Sequence, residues 1–405
     1  MRSYSFFTII LLCLAILIID ILAFYWLQSI LLQLTSSFFK NIIYVAFWVF
    51  SIGLITAILF LKIRLDRIYL GRKQLIISSL YGLGILSFVP KLIFVIVISI
   101  LHFSNYIFSY TDWLIVIPLL AILSGFLPFF VIVYAIFKAV YKFKIHSVTI
   151  QFDHLPLNFN GLRIVQISDL HLGSFNFRYK ILERAVKMIN NLNPDFIFFT
   201  GDLVNNYAWE LKGWDRIFKQ LHAVHGKYAV LGNHDYGDYS QWNRQKDKKA
   251  NFDSIKYFYK KINFKLLLNK ADAVKKGSDT IAIIGVENWS KPPFKKYGNL
   301  ELALKEVEDI PFKILLSHDP THWDAEVLQQ TNIALTLSGH THGMQAAINL
   351  KNKAWSPIKY KYKRWAGLYK QNQQYLYVNR GLGWLGFPGR MGMRPEITFI
   401  KFENG

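Results

Sequence analysis

The feature that most constrains this chain is a break in character near residue 145. Before it, four long apolar runs follow one another with few charges between them. After it, short apolar runs alternate with polar and helical segments. A helix needs ~20 mostly apolar residues to cross a bilayer. Residues 6–27, 42–61 and 113–137 meet that requirement, the first with Asp20 as its one charge and the others with none. Residues 82–103 are also long enough but carry Lys91 directly after Pro90. The chain therefore divides into a membrane region, 1–145, with about four transmembrane helices, and a globular region, 146–405. The first run is too long for a signal-peptide core and lacks a small-residue cleavage site, so it reads as a retained helix.

Charge adds orientation. Residues 1–144 hold 11 Lys and Arg against 3 Asp and Glu, and residues 145–405 hold 36 against 23. Outside the spans, the basic residues of the membrane region sit at Arg2, in the first loop (Lys40 only), in the second loop (Lys62, Arg64, Arg67, Arg72, Lys73) and after the fourth span (Lys138, Lys142, Lys144). The loop at 104–112 has none. Positive loops stay inside, so both termini and the globular region are expected on the cytoplasmic side. Asp20 and Lys91 are intramembrane charges, read either as an ion or substrate path or as a structural pair. With only two such groups, the structural pair is the better reading. A 53% apolar, 18% charged chain excludes disorder, and the single Cys13 excludes a disulfide framework or a thiolate-ligated metal site.

In the globular region, residues 148–152, 162–167, 196–200, 227–231, 281–286, 312–316 and 333–337 read as strands. Helical patterns at 178–191 and 300–307 lie between them, which argues for an α/β layered domain. Polar residues gather just after the strands: Ser168-Asp169-Leu170-His171, Gly201-Asp202, Gly232-Asn233-His234-Asp235, Ser317-His318-Asp319 and Gly339-His340-Thr341-His342-Gly343. Ligands bind at the carboxyl ends of strands in such sheets. Any one piece could be a turn or helix cap; five in fixed order are not coincidence. Mixed carboxylate, amide and imidazole donors suit hard to borderline divalent cations. Their number exceeds one tetrahedral site and suits a pair of cations that clamps a phosphoryl group.

This order of motifs resembles the calcineurin-like metallophosphoesterases over roughly residues 160–345, and the overall plan resembles the bacterial membrane-bound branch of that family. The resemblance implies a four-layer α/β sandwich, two mixed sheets flanked by helices. It implies two divalent metal ions, with manganese, iron, zinc and magnesium all compatible. One would be held by Asp169, His171, Asp202 and His342, the other by Asp202, Asn233, His318 and His340. A hydroxide shared by the metals would attack phosphorus in line, and His234 would contact the phosphoryl oxygen or protonate the leaving group, with Asp235 orienting its neighbours. The family's usual second acid, three residues after the bridging Asp, is Asn205 here. An Asn side chain can accept a hydrogen bond from the catalytic ring but cannot stabilise an imidazolium by charge, so a lowered His234 pKa is expected.

Arg380 and Arg390 are candidates for binding phosphate, or for surface ion pairs. The apolar stretch 383–388 reads as a core-facing turn or as a lip at the membrane. The expected function is a membrane-anchored phosphoesterase acting on a phosphate ester, a diester or a lipid-linked one. Within the family, a lipid A precursor (UDP-diacylglucosamine) pyrophosphatase is one specific case. A nuclease is a rival on the basic charge and many aromatics of the globular region, but the basic residues at 241–276 and 351–370 form no nucleic-acid module. A non-catalytic membrane scaffold is the other rival, and the nearly complete ligand set argues against it.

Overall fold

The computed structural model describes residues 6–32, 35–64, 68, 70–108, 116–350 and 353–405. Arg2, Arg67 and Lys351, and the expected start of the fourth span at Trp113, lie outside them. Contacts divide the chain into two units: residues 2–138 with 386–389, and residues 139–385 with 390–405.

The first unit is four helices, α1 (Phe6–Leu31), α2 (Ser37–Arg64), α3 (Leu70–Phe108) and α4 (Val116–Phe137). All four are long and apolar enough to cross a membrane. Large apolar side chains such as Phe7, Val49, Phe103 and Leu127 point outward, the reverse of a soluble helix bundle and the arrangement a lipid solvent favours. With 39 residues, α3 is roughly 58 Å long, and it runs through Pro90 without ending. The segment expected as the loop at 104–112 is therefore helical as far as Phe108.

Lys91 is the charge that interrupts this span in the sequence. Its Nζ lies 2.6 Å from Asp20 Oδ1 and 3.0 Å from Ser51 Oγ, so one partly buried cation, paired with a buried carboxylate, ties α1, α2 and α3 together. The pair is the structural one of the two readings. Replacing Lys91 by Met leaves Asp20 buried beside apolar side chains, and removing one partner of a buried pair costs about 3–5 kcal/mol. Thermal unfolding in detergent should show that loss, and the double replacement Asp20→Leu/Lys91→Met should recover most of it. Equal losses in the single and double variants would contradict a structural pair.

The second unit is a sandwich. One sheet has the order β1 (Lys144–Phe152), β14 (Glu396–Asn404), β2 (Arg163–Ile167), β3 (Phe196–Thr200), β4 (Gly226–Val230) and β5 (Lys265–Leu266). The other has β12 (Gly367–Gln371), β13 (Gln374–Val378), β9 (Ile333–Ser338), β8 (Lys313–Leu316), β7 (Asp279–Gly285) and β6 (Lys270–Lys276). Both are mixed: β2, β3 and β4 run parallel while β14 is antiparallel to β2, and β7, β8, β9 and β13 run parallel between antiparallel edges. A small hairpin joins β10 (Ile348–Leu350) to β11 (Lys353–Trp355).

Period-2 side-chain alternation builds the layers. Phe196 and Phe198 of β3 pack between the sheets against residues such as Ile283, Ile314 and Leu335. Ile197 and Phe199 point the other way, to α5 (Tyr179–Asn190) and α7 (Gln245–Lys261), through Val186, Ile189, Ile255 and Tyr259. On the far face of the second sheet, Ile284 and Leu315 meet Leu300 and Ala303 of α8 (Leu300–Leu304), which follows the single-turn α6 (Asp215–Phe218) and α7 in the chain. The layers are thus helix, sheet, sheet, helix. Because both faces of the central strands are covered, their sequences are continuous apolar runs. In the apolar stretch 383–388, Trp384 is a core residue packed edge-on against Phe175 and Tyr141, while 386–389 belong to the helical unit.

Candidate metal centre

The carboxyl ends of β2, β3, β4, β8 and β9 converge. The turns after them are sharp: Asp169, His171, Asp202, His340 and His342 all have positive φ, between 46° and 73°. That conformation is costly for residues with a Cβ and clusters at functional sites. Two glycines are required by close approach. A Cβ on Gly232 would lie 2.2 Å from Asp202 Oδ1, and one on Gly339 would lie 2.0 Å from Ser168 Oγ and 2.3 Å from Asp169 Oδ2.

Two donor groups result, each with its ligand atoms within 4.8 Å of one another: Asp169, His171 and His342, and Asp202, His318 and His340. In the first, His171 Nε2 lies 3.1 Å from His342 Nε2, and His342 Nε2 lies 3.3 Å from Asp169 Oδ1. In the second, His318 Nε2 lies 3.2 Å from both Asp202 Oδ2 and His340 Nδ1. Asn233 Oδ1 joins it, 3.1 Å from His318 Nε2 and 2.9 Å from His340 Nδ1. Asp202 Oδ2 is also 3.6 Å from His171 Nε2, so this carboxylate stands between the groups.

Outer contacts aim these donors inward. His318 Nδ1 donates to the Thr200 carbonyl at 2.7 Å, which leaves Nε2 for the site. His340 Nε2 is 2.8 Å from the Tyr362 hydroxyl, which turns Nδ1 inward. Asn233 Nδ2 donates to Tyr239 Oη at 2.7 Å, which turns its carbonyl oxygen inward.

The electrostatics fit a cationic occupant. Burial lowers His171 to about 3 and His340 to about 4, so both are neutral donors. Burial raises Asp169 to about 7. Burial also opposes charge on His318, yet the adjacent Asp202 carboxylate raises it to about 10. Among the described residues, Asp169 and Asp202 have ion-pair partners only in these histidines, with no Lys or Arg. Two buried carboxylates facing buried imidazoles, with no thiolate, form the donor set of divalent cations.

His234 stands beside the groups. Its main-chain N–H donates to Asp202 Oδ1 at 2.9 Å, and its ring Nδ1 donates to the main-chain carbonyl of Asn205 at 2.7 Å. The motif predicts the Asn205 side chain as the acceptor. That amide instead donates to Ser174 Oγ at 3.2 Å. Burial is the main cause that lowers the His234 pKa, opposed by Asp202 and by the Asn205 carbonyl.

The loop carrying Asp202 and Asn205 is held by two buried acids. Asp235 accepts the main-chain N–H groups of Asp202, Leu203 and Val204, and that of Gly232, at 2.9–3.2 Å. Glu210 accepts the next three, from Asn205, Asn206 and Tyr207, and that of Gly173, at 2.6–3.2 Å. Six consecutive N–H groups therefore end on two carboxylates. Glu210 does not stand out in the sequence. Its one signal is an acid at the third position of a short helix, where it can bond back to the helix start.

The two arginines expected to bind phosphate are engaged elsewhere. Arg380 pairs with the buried Glu396, Nη1 to Oε2 at 2.6 Å. Arg390 is fully buried and donates to the carbonyls of Arg380, Gly381 and Gly383. It sits behind His342, 3.5 Å from Nδ1, and shapes the turn that backs the site.

A two-sheet sandwich with two cation-binding groups at its strand ends defines a class of metal-dependent phosphoryl hydrolases, and comparison with known proteins agrees. Residues 162–344 match the calcineurin-like phosphoesterase family. The metallophosphoesterase YkuE of Bacillus subtilis is 31% identical over 261 residues, 63% of this chain and 84% of that protein. A transmembrane protein with a metallophosphoesterase domain from Danio rerio is 30% identical over 282 residues, 67% of this chain and 60% of that protein. The UDP-2,3-diacylglucosamine pyrophosphatase LpxG of Chlamydia trachomatis is 30% identical over 297 residues, 62% of this chain and 85% of that protein. The chain belongs to the calcineurin-like metallophosphoesterase family, a family of hydrolases acting on phosphoric ester bonds, and is a membrane protein with four apolar helices.

Proposed function

We propose that this protein is a membrane-anchored phosphoesterase that hydrolyses a lipid-linked phosphate ester or anhydride at the cytoplasmic face. The observation that carries the reading is the pair of donor groups sharing Asp202, with His234 beside them. Asp169, His171, Asp202 and His342 would hold one divalent cation, and Asp202, Asn233, His318 and His340 the other. Such a pair supplies positive charge to the phosphoryl oxygens and an acidified water as nucleophile. Because Nδ1–H of His234 is committed to the Asn205 carbonyl, Nε2 is the nitrogen that can carry a proton to the leaving oxygen. Asp235 and Glu210 fix the loop and do not meet the reacting atoms. Basic residues Lys62, Arg64, Arg72 and Lys73, and Lys138, Lys142 and Lys144, support the cytoplasmic orientation.

The lipid-linked substrate class is supported by the four apolar helices and by the likeness to LpxG, which acts on UDP-2,3-diacylglucosamine. The test is turnover by the full-length protein in mixed micelles, with added manganese or chelator. The substrates are bis-p-nitrophenyl phosphate, p-nitrophenyl phosphate and a nucleoside-diphosphate-linked diacyl sugar. The expected result is cation-dependent hydrolysis of all three, with kcat/KM for the lipid at least about tenfold above the others, a difference of roughly 1.4 kcal/mol in transition-state binding. Preference for the soluble diester would overturn the lipid assignment while retaining the phosphoesterase.

A further inference from the structure

We propose that residues 344–350 and 353–362 form an amphipathic lip that seats in the headgroup layer of an anionic bilayer, at the rim of the metal centre. That this delivers a lipid-linked substrate rests on the function proposed above; the membrane contact itself does not.

The lip is built out of the site. It begins at Met344, two residues after His342, and it returns at Tyr362, whose hydroxyl is 2.8 Å from His340 Nε2. Its root is fixed. Ser356 Oγ donates to the Gly343 carbonyl at 3.0 Å, and Ala347 N–H donates to the Met391 carbonyl at 2.9 Å. Tyr362, Trp365 and Met393 pack together beneath it with Ala347 and Ile358.

Its outer side is apolar. Met344 is 55% exposed, Ile348 57%, Trp355 39% and Tyr360 79%. Elsewhere in the globular unit, exposed large apolar side chains such as Leu157, Val224, Tyr257 and Leu302 are scattered along the chain, which is ordinary for a soluble surface. Four within one short excursion form a patch, and a patch marks a contact.

Its charge has one sign. No Asp or Glu occurs between Glu326 and Glu396, while Lys353, Lys359, Lys361 and Lys363 fall within or just after the lip; the next cation, Arg364, is already paired with Asp324. Lys359 Nζ lies 5.7 Å from the Trp355 ring and 5.1 Å from the Tyr360 ring. Lysines beside exposed Trp and Tyr are the composition of a membrane interface, where the rings sit at headgroup level and the ammonium groups meet anionic lipid. Exposed aliphatic residues such as Met344 and Ile348 favour a bilayer over a nucleic-acid strand, which would be bound by stacking and cations alone.

The sequence provides a clean probe site, because Cys13 is its one cysteine. Full-length Cys13→Ser protein carrying Tyr360→Cys is labelled with an environment-sensitive fluorophore and reconstituted into phosphatidylcholine vesicles with and without phosphatidylglycerol. Ile348→Cys serves as a second reporter if the first perturbs folding, and Glu301→Cys on α8 serves as the exposed control. With phosphatidylglycerol present, emission at 360 and 348 should shift to the blue and be quenched by lipids brominated in the acyl chain, while position 301 is unaffected. Lys359→Glu/Lys361→Glu should abolish the quenching at 348. Water-like, unquenched emission at both lip positions would overturn the proposal. So would a response to a single-stranded oligonucleotide in place of vesicles. Turnover of a water-soluble diester by the same vesicles reports the phosphoesterase reading separately: quenching without turnover retains the lip and overturns that reading, and turnover without quenching does the reverse.

Discussion

Asp202→Asn is expected to lower hydrolysis by on the order of 10³-fold, the scale of losing a main electrostatic stabiliser of a transition state, and to reduce bound metal from two ions per chain to one or none. The reason is geometric. Oδ2 of Asp202 is within 3.6 Å of His171 Nε2 and 3.2 Å of His318 Nε2, so one carboxylate serves both donor groups. Oδ1 is already taken by the N–H of His234 at 2.9 Å, so the shared oxygen has no substitute on the same residue. The isosteric amide avoids a void and avoids a clash with Gly232. By contrast, His171→Ala should remove one ion and leave the other, because His171 belongs to one group. Metal content by mass spectrometry, with circular dichroism to confirm the fold, separates the outcomes. Two retained ions in the Asp202→Asn protein would contradict the shared carboxylate.

Glu210→Gln is expected to lower kcat by on the order of 10²-fold, the range of a general acid–base contribution, with little change in KM. Glu210 touches no candidate ligand. It accepts four main-chain N–H groups, and three of them set the segment whose Asn205 carbonyl holds the His234 ring. An amide would place a donor among donors. Asn205→Ala should change kcat by no more than about threefold, roughly 0.65 kcal/mol, because the ring bonds to that residue's main chain. The ordering of these two variants is the test. A larger effect from Asn205→Ala would return the role to the side chain.

Glu210 also predicts opposite pH trends for activity and stability. Burial raises its pKa to about 7, above an unfolded carboxyl near 4.5. Its contribution to stability is therefore fully present below about pH 4.5 and is lost as pH rises through about 7. The ionised form is the one that can accept all four N–H groups, so activity should rise over the same interval. Thermal midpoints and kcat measured from pH 5 to 8 should move in opposite directions in the wild type, and both slopes should flatten in Glu210→Gln.

The layered fold is legible in the sequence because its central strands are buried on both faces. β3 reads Phe-Ile-Phe-Phe-Thr and is buried throughout. The polar residues that follow such runs have no place in the core, which is why Asp169, Asp202, Asn233, His318 and His340 stand out from their order along the chain alone. Long-range partners are not legible. Nothing near Arg380 announces Glu396, and nothing near Arg390 announces the three carbonyls it serves. The role of Asn205 is half legible. Its position beside His234 follows from the motif, but a sequence cannot say whether a side chain or its carbonyl will face the ring. The lip is hidden for a related reason. Its apolar residues are interspersed with lysines and read as a scattered basic stretch until the hairpin pairs Ile348 with Trp355 and Lys359 comes near both Trp355 and Tyr360.

The central claim is that two cations share Asp202 in a working phosphoesterase. Its most direct test is a manganese titration of metal-stripped, full-length protein, followed by electron paramagnetic resonance and by turnover of bis-p-nitrophenyl phosphate. Two ions should bind per chain, with an exchange-coupled signal from a pair about 3.5–4 Å apart and turnover that rises with that signal. One ion per chain, or two uncoupled ions with full turnover, would contradict it.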